Sequence, residues 1–152
     1  MKQLVNKVTN SYEETIAVAK EFAKTIKSGD FVAFFAEMGA GKTVFVRGIA
    51  QRFKLEEMVC SPTFSIVNEY PYEGEKKLVH CDLYRIKNEQ ELYEIGFFDY
   101  LKDENVLMLA EWSEKIVEFL PKNYFKVKIE IVSENMRKIL IERQSENEDF
   151  SN

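Results

Sequence analysis

The chain has 152 residues, of which 45% are hydrophobic and 31% charged, and its formal net charge is −5. This length suits a single domain that buries roughly 68–70% of its unfolded surface, and the composition is ordinary for a globular protein. The acidic balance argues against a protein that holds nucleic acid mainly by neutralising its phosphates.

The sequence also points to a protein of the cytosol. No apolar run approaches the roughly 18 residues of a membrane span, and no charged-then-apolar leader is visible. Cys60 and Cys81 are the only cysteines, and His80 is the only histidine. Two thiols without a CxxC pair suit a reducing compartment, and this inventory argues against a zinc site of Cys and His ligands.

The first elements in chain order are a short strand at 3–8 and a helix that starts near Tyr12. Ser11 and Glu14 have the spacing of a capping box, and apolar residues follow at helical spacing. Gly29 is expected to end this helix.

A phosphate-binding loop is predicted at 36–43. The preceding run 31–36 (FVAFFA) is apolar without alternation, which is typical of a strand buried on both faces. A second helix is predicted from about Lys42 to Phe53, so that a glycine-containing turn and a helix N-terminus can meet phosphate groups. Lys42 is placed to reach the β- and γ-phosphates, and Thr43 to offer its hydroxyl to Mg²⁺. The alternative is a glycine turn followed by chance by Lys-Thr.

Ala36 stands where the G-x-x-x-x-G-K-[ST] pattern has its first glycine. The strand-to-loop junction should be near-extended with negative φ, where a methyl group is tolerated, so we expect a mild effect. Gly39 and Gly41 lie where a Cβ is expected to obstruct the curl of the loop. The residues expected to contact the nucleotide are Glu37, Met38, Gly39, Ala40, Gly41, Lys42, Thr43 and Val44.

The second half of the chain is predicted to be richer in strands. The expected elements are a hairpin around 71–75, a helix over 88–98 up to Gly96, a buried strand at 105–112, a short helix at 113–120 and a C-terminal hairpin joined by SENM (133–136). Ser113 is expected to begin the short helix and Pro121 to stop it. The predicted fold class is therefore α/β: a P-loop NTPase-like three-layer fold, with central parallel strands flanked by antiparallel strands. We expect one domain over 1–143 and a short, flexible acidic tail at 144–152.

Two acidic residues, Asp82 and Glu111, end predicted strands. The carboxyl ends of parallel strands meet at the edge where a phosphate loop opens. Phosphate hydrolysis needs magnesium ligands and a group that orients water, and either carboxylate fits these roles. The alternatives are that Glu111 caps the helix near Ser113 and that Asp82 pairs with Arg85.

Three further residues have two interpretations each. Thr63 in SPTF (61–64) is a candidate switch residue that meets the magnesium or γ-phosphate, or part of a simple turn before a strand. Trp112, the only tryptophan, stacks near the nucleotide or a partner, or packs in the core. His80 is interpreted as a satisfied strand histidine and not as a catalytic base.

Together these segments resemble the TsaE (YjeE) family of small bacterial P-loop ATPases. The matching segments, in the order and spacing of the family, are MGAGKT (38–43), SPTFSIVNEY (61–70), HCDLYR (80–85), ELYEIGFFDYL (91–101) and EW (111–112). Family members usually carry glycine at the position of Ala36. The alanine of this chain concerns the geometry of the phosphate loop.

The resemblance implies an ATPase that uses ATP and Mg²⁺ and works with two partners, TsaB and TsaD. These attach threonylcarbamoyl to the adenosine beside the anticodon of tRNAs, and the ATPase resets the complex between turnovers. Because TsaD performs the transfer, little direct binding of nucleic acid is expected of this chain. The roles implied are catalysis for Lys42 and Glu111, metal binding for Thr43, Asp82 and Glu111, nucleotide contact for Trp112 and a switch role for Thr63.

Other functional classes remain as alternatives. A small-molecule P-loop kinase usually needs arginines on a mobile lid, and no arginine-rich segment is present. A GTP-binding switch would carry N-K-x-D after the loop, but the only NK is Asn6-Lys7, upstream of it. A structural partner with an inactive loop is disfavoured by the intact Lys42, Thr43 and Glu111.

Overall fold

The computed structural model describes residues 1–37, 39–55 and 66–146. Its strands are β1 (Lys2–Thr9), β2 (Phe31–Ala36), β3 (Val67–Glu73), β4 (Lys76–Asp82), β5 (Val106–Glu111), β6 (Tyr124–Ile131) and β7 (Arg137–Gln144). Its α-helices are α1 (Tyr12–Ala23), α2 (Lys42–Arg52), α3 (Glu89–Glu94) and α4 (Phe97–Lys102), and a 3-10 helix spans Ser113–Phe119.

Within the described residues these strands form one sheet in the order β1-β7-β6-β2-β5-β4-β3. The four central strands β6, β2, β5 and β4 run parallel to one another. Antiparallel β3 forms one edge, and β7 and β1 form the other. The prediction of an α/β fold with parallel central strands, antiparallel flanks and a C-terminal hairpin is confirmed.

The sheet is covered on both faces, which makes three layers. Phe34 of β2 packs edge-on against Phe45 of α2, with ring centroids 5.9 Å apart. Phe31 of the same strand packs on the other face against Phe97 of α4, at 6.0 Å. Side chains from one strand thus enter both apolar clusters, which explains why β2 lacks the alternation of a half-exposed strand.

The start of α1 follows the prediction, but its end does not. Ser11 Oγ accepts a hydrogen bond from the Glu14 N–H at 3.2 Å, and the Glu14 carboxylate accepts from the Asn10 N–H. The helix already ends at Ala23. Gly29 is not its stop: it has a φ of 93° and donates its N–H to the Val106 carbonyl, in the turn that leads into β2.

Helices α1 and α2 approach each other closely at Gly48. A Cβ added there would lie 2.5 Å from the Ala19 Cβ and 3.1 Å from the Ile16 carbonyl oxygen, and Ala19 is fully buried. We expect Gly48→Ala to lower the free energy of unfolding by about 1–3 kcal/mol through overpacking, although alanine favours helix.

Urea denaturation measures this effect, and the double variant Ala19→Gly/Gly48→Ala is the matched control. Removing the Ala19 Cβ relieves the closest contact. The double variant should therefore lose less free energy of unfolding than the sum of the losses in Ala19→Gly and Gly48→Ala. Wild-type stability in Gly48→Ala would contradict the close approach of the two helices.

Two helices differ from the prediction in the second half. The helix predicted from 88 up to Gly96 is α3 and ends before this glycine, as expected; Gly96, with a φ of 80°, then begins α4, a separate helix that was not predicted. The segment 113–120 forms a 3-10 helix that Ser113 does not cap, because the Ser113 hydroxyl donates backwards to the Ala110 carbonyl at 2.8 Å. The predicted turn at 71–75 is shorter, since β3 continues to Glu73.

The end of the described chain is attached to the sheet. β7 continues to Gln144, and the Glu146 N–H donates to the Asn123 side chain at 2.9 Å. Residues 147–152 of the expected tail lie outside the described residues, and the division into a domain over 1–143 and a tail stays a prediction. In the part of the chain that the structure describes, no helix is long and apolar enough to cross a membrane.

Candidate functional site

The loop between β2 and α2 lies at the carboxyl end of the central strands. Gly39 and Gly41 have φ angles of 82° and 101°, a region that strongly favours glycine. No heavy atom of the described residues lies within 4 Å of a Cβ built on either glycine. The glycines are therefore required by the backbone conformation, and the expected steric reason, a Cβ obstructing the loop, is wrong.

Ala36 is the last residue of β2 and pairs with Ile129 of β6. It is 4% exposed, and its strand conformation has none of the positive φ that would require glycine. The expected extended junction is confirmed, because Ala36 belongs to the sheet and the curl of the loop starts after it. The mild effect of alanine on the loop stays a prediction.

Arg137, at the start of β7, holds the loop from the outside. Its Nε donates to the Ala40 carbonyl at 3.1 Å and its Nη2 to the Gly39 carbonyl at 3.4 Å. Its Nη1 donates to the Ser133 carbonyl in the β6–β7 turn at 2.8 Å. Bonds to the carbonyl groups favour a loop whose N–H groups turn toward a ligand. Sequence reasoning missed this residue, because nothing near Arg137 in the chain indicates a contact 97 positions away.

The Lys42 ammonium lies at the loop and is largely buried. The side chain is 8% exposed, and Nζ has no hydrogen-bond partner among the described residues. Nζ lies 3.8 Å from the centroid of the Trp112 ring, over its face. Burial lowers the pKa of Lys42, and the negative charges of Glu111, Glu114 and Asp82 oppose this shift. A buried ammonium in this state lacks acceptors, and phosphate oxygens would supply them.

The two predicted acids lie side by side. Asp82 of β4 is paired in register with Glu111 of β5, as expected for the ends of adjacent parallel strands. Glu111 is 5% exposed, and its Oε2 lies 2.5 Å from His80 Nε2, so it does not cap the 3-10 helix. Asp82 Oδ1 accepts a hydrogen bond from the Tyr84 N–H at 3.0 Å.

The residues present fit a magnesium ion that is shared with phosphate. Among the described residues no three His, Cys, Asp or Glu side chains form a ready-made metal site. Mg²⁺ is commonly held by one or two carboxylates together with substrate phosphates. Thr43, in the first turn of α2, and the acids Asp82 and Glu111 suit that mode of binding.

Trp112 has an unusual backbone conformation. Its φ is 62°, which is rare and costly for a bulky residue. The indole lies beneath the Lys42 ammonium, and its ring centroid is 5.0 Å from that of Tyr84. The structure thus brings Trp112 to the loop, and strain of this kind is typical of functional sites. Its contact with the nucleotide stays a prediction.

Two of the predicted contact residues, Glu37 and Val44, have neighbours other than Lys42 and the acids. The Glu37 carboxylate accepts a hydrogen bond from the Ile131 N–H at 3.4 Å and so points to the hairpin. Val44 lines a cavity of about 130 Å³ next to the loop, together with Tyr12, Thr15 and Arg137. Met38 and Thr63 lie outside the described residues, as does Cys60.

Comparisons with known proteins agree on one family. Residues 9–139 match the family described as "Threonylcarbamoyl adenosine biosynthesis protein TsaE". The chain is 37% identical over 139 residues to "tRNA threonylcarbamoyladenosine biosynthesis protein TsaE" of Bacillus subtilis, which covers 91% of this chain and 85% of the relative. It is 36% identical over 149 residues to the protein of the same name from Aquifex aeolicus, covering 95% and 100% of the two chains.

A solved structure is similar over nearly the whole chain. The crystal structure of Bacillus subtilis YdiB superposes with a TM-score of 0.74 at 31% sequence identity, covering 97% of this chain and 88% of that one. This match confirms the predicted P-loop NTPase-like fold. The family match includes the phosphate loop, both strand-end acids and Arg137, and the chain therefore belongs to the TsaE family of tRNA threonylcarbamoyladenosine biosynthesis proteins.

Proposed function

We propose that this chain is a Mg²⁺-dependent ATPase whose hydrolysis resets a complex of TsaB and TsaD between turnovers. That complex would transfer threonylcarbamoyl to the adenosine beside the anticodon of tRNA. The observation that carries the proposal is the Lys42 ammonium, buried at an open glycine loop without a hydrogen-bond partner in the described residues. Two carboxylates, Asp82 and Glu111, end the adjacent strands close by.

Phosphate binding follows from the loop and from α2. The N-terminus of this 11-residue helix attracts anions, because the helix dipole is positive there. Phosphate oxygens would give Lys42 the acceptors it lacks, so the ammonium would move from the Trp112 ring toward the ligand. Charge attraction and hydrogen bonding therefore act on the same group.

The acidic residues Asp82 and Glu111 would support the hydrolysis of ATP. Mg²⁺, when bound, neutralises charge on the phosphates and on the phosphoryl group in transfer. Thr43, Asp82 and Glu111 would hold it. Glu111, buried at the end of a rigid strand, would also orient the attacking water, and Trp112 would limit access of other water to Lys42.

The nucleoside is assigned to the cavity beside the loop. This cavity of about 130 Å³ lies where the N-terminus of α1 meets the loop and the β6–β7 turn. Its lining includes Tyr12, Thr15 and Arg137. Aromatic and guanidinium groups are suited to contacts with the flat face of a base.

We expect Arg137→Ala to weaken ADP binding about tenfold, because two charge-assisted bonds to the loop carbonyls are lost. Isothermal titration calorimetry measures the dissociation constant. Arg137→Lys should recover part of the affinity, since it keeps the charge but not the forked geometry. Arg143→Ala is the matched control on the same strand, because Arg143 lies over the Phe125 ring and should bind ADP as the wild type does. Wild-type affinity in Arg137→Ala would contradict a role in holding the loop.

The test of the whole proposal is multiple-turnover tRNA modification with purified TsaB and TsaD. We expect weak ATP hydrolysis by the chain alone, and modification over many cycles only with the wild-type chain and hydrolysable ATP. The Lys42→Ala variant is the control for the phosphate loop and should not sustain modification over many cycles. Equal turnover without this chain would remove the proposed function.

Three simpler measurements separate the alternatives. Release of free phosphate indicates an ATPase, whereas phosphate on a metabolite would indicate a small-molecule kinase. Tighter binding of ATP than of GTP would argue against a guanine-nucleotide switch. A gel shift at physiological salt should show no submicromolar binding of tRNA by this chain alone, in keeping with its net charge of −5.

A further inference from the structure

We infer that His80 is a positioning residue for Glu111, which it holds by one carboxylate oxygen so that the other is presented to the reacting phosphate. The inference rests on the proposed ATP hydrolysis and deepens it. It concerns a side chain that the sequence pattern assigned only to the strand.

The contact is short, buried and built on rigid elements. His80 Nε2 lies 2.5 Å from Glu111 Oε2, and His80 is 0% exposed. In the register of β4 and β5, His80 lies opposite Leu109 and Asp82 opposite Glu111. The bond therefore runs diagonally between neighbouring strands, on the face that also carries Asp82. Two central parallel strands hold both ends, so the carboxylate has little freedom to move.

The second ring nitrogen shows which atom carries the proton. His80 Nδ1 is buried and has no hydrogen-bond partner among the described residues. A neutral imidazole has one N–H donor and one acceptor, and a buried unpaired N–H group is rarer than an unpaired acceptor. The proton therefore lies on Nε2 and is donated to Glu111 Oε2. His80 Nε2 is thus the donor of this hydrogen bond, and Glu111 Oε2 is its acceptor.

This arrangement leaves Glu111 one oxygen for chemistry. A carboxylate without the His80 bond can turn about its terminal torsion, whose rotamer wells are broad. With Oε2 bound, Oε1 is left for a water or for the shell of a metal. Hydrogen bonds to such carboxylates are part of a site's function, and their loss typically reduces activity or metal affinity about 10–100-fold. His80 itself is fully buried, and no contact with the nucleotide is assigned to it.

The kinetic test compares three variants of β4. His80→Leu removes the donor, and His80→Gln restores an N–H group at similar reach. Val79→Ala alters the opposite, apolar face of the same strand and controls for lost packing. We expect His80→Leu to lower kcat for ATP hydrolysis about 10–100-fold with the ADP dissociation constant nearly unchanged. His80→Gln should regain much of kcat, and Val79→Ala should lose thermal stability but keep kcat.

A second test needs no catalysis. Imidazole ¹⁵N NMR of the nucleotide-free protein should show the single histidine protonated at Nε2, with a downfield Nε2–H proton that is lost in Glu111→Ala. A proton on Nδ1, or a signal indifferent to Glu111, would overturn the hydrogen bond.

The outcomes separate the two proposals. A wild-type protein that binds ADP but hydrolyses no ATP, alone or with TsaB and TsaD, would overturn the proposed function, whatever the NMR shows of the His80–Glu111 bond. A wild-type protein that hydrolyses ATP, together with a stably folded His80→Leu variant of equal kcat, would overturn the role of His80 alone. Reduced stability with unchanged kcat would show that His80 is merely structural.

Discussion

Lys42→Met is expected to reduce ATP hydrolysis by at least about 100-fold, because the ammonium assigned to the charge of the reacting phosphoryl group is lost. The nucleotide-free variant should nevertheless be as stable as the wild type or more stable. The ammonium is buried without a hydrogen-bond partner in the described residues, and methionine keeps an apolar stem against Trp112 while avoiding the burial of a charge.

Phosphate release measures the loss of ATP hydrolysis, and thermal unfolding with and without ADP measures the stability of the variant. The stabilisation of the wild type by ADP should be largely lost in Lys42→Met. Lys115→Met is the control, because the Lys115 ammonium is already bound to the Tyr84 carbonyl; that variant should keep most of its hydrolysis and its response to ADP. A Lys42→Met protein that unfolds at a lower temperature than the wild type would show that the ammonium stabilises the free protein.

Glu111→Gln is expected to stop hydrolysis while ATP still binds. The amide matches the carboxylate in shape and can still accept the bond from His80, but it lacks the charge needed to orient and activate water. Loss of such a group reduces the rate about 100-fold or more. In the tRNA modification assay, the variant should therefore support early product formation without sustained turnover.

Single-turnover phosphate release measures hydrolysis, and calorimetry measures ATP binding, so the two properties are separated. Glu114→Gln is the matched control: its charge also acts on Lys42, but Glu114 lies beyond the strand end. If any negative charge near Lys42 could support hydrolysis, Glu111→Gln and Glu114→Gln would lower kcat equally. We expect Glu114→Gln to keep nearly full kcat, and equal losses in both variants would contradict the specific role of Glu111.

Elements with strong local patterns were predicted closely. The strand predicted at 31–36 is β2, Phe31–Ala36, and the helix predicted from Lys42 is α2. An apolar run buried on both faces, followed by glycines and a helix, needs no information from distant residues. The C-terminal hairpin was equally clear, because its two strands alternate and a short turn joins them.

Predictions failed where a distant contact determines the local structure. Gly29 has a positive φ in the turn before β2, where its N–H group donates to the carbonyl of Val106, the first residue of β5, and no helix ends there. Ser113 bonds back to Ala110 and Trp112 takes a left-handed conformation, so the segment after β5 becomes a 3-10 helix. The capping rules for an α-helix do not describe a turn that the packing of a buried strand end imposes.

The sequence by itself determined the phosphate loop and the presence of one acid at the end of each of two strands, because both depend on short segments. Only the tertiary structure decided which side chains meet. It brings His80 to Glu111 across 31 positions, Arg137 to the loop across 97 positions, and the Trp112 ring beneath the Lys42 ammonium. These contacts depend on strand order and register, and register follows from how whole strands pair and bury their faces. No local pattern in the chain carries that information.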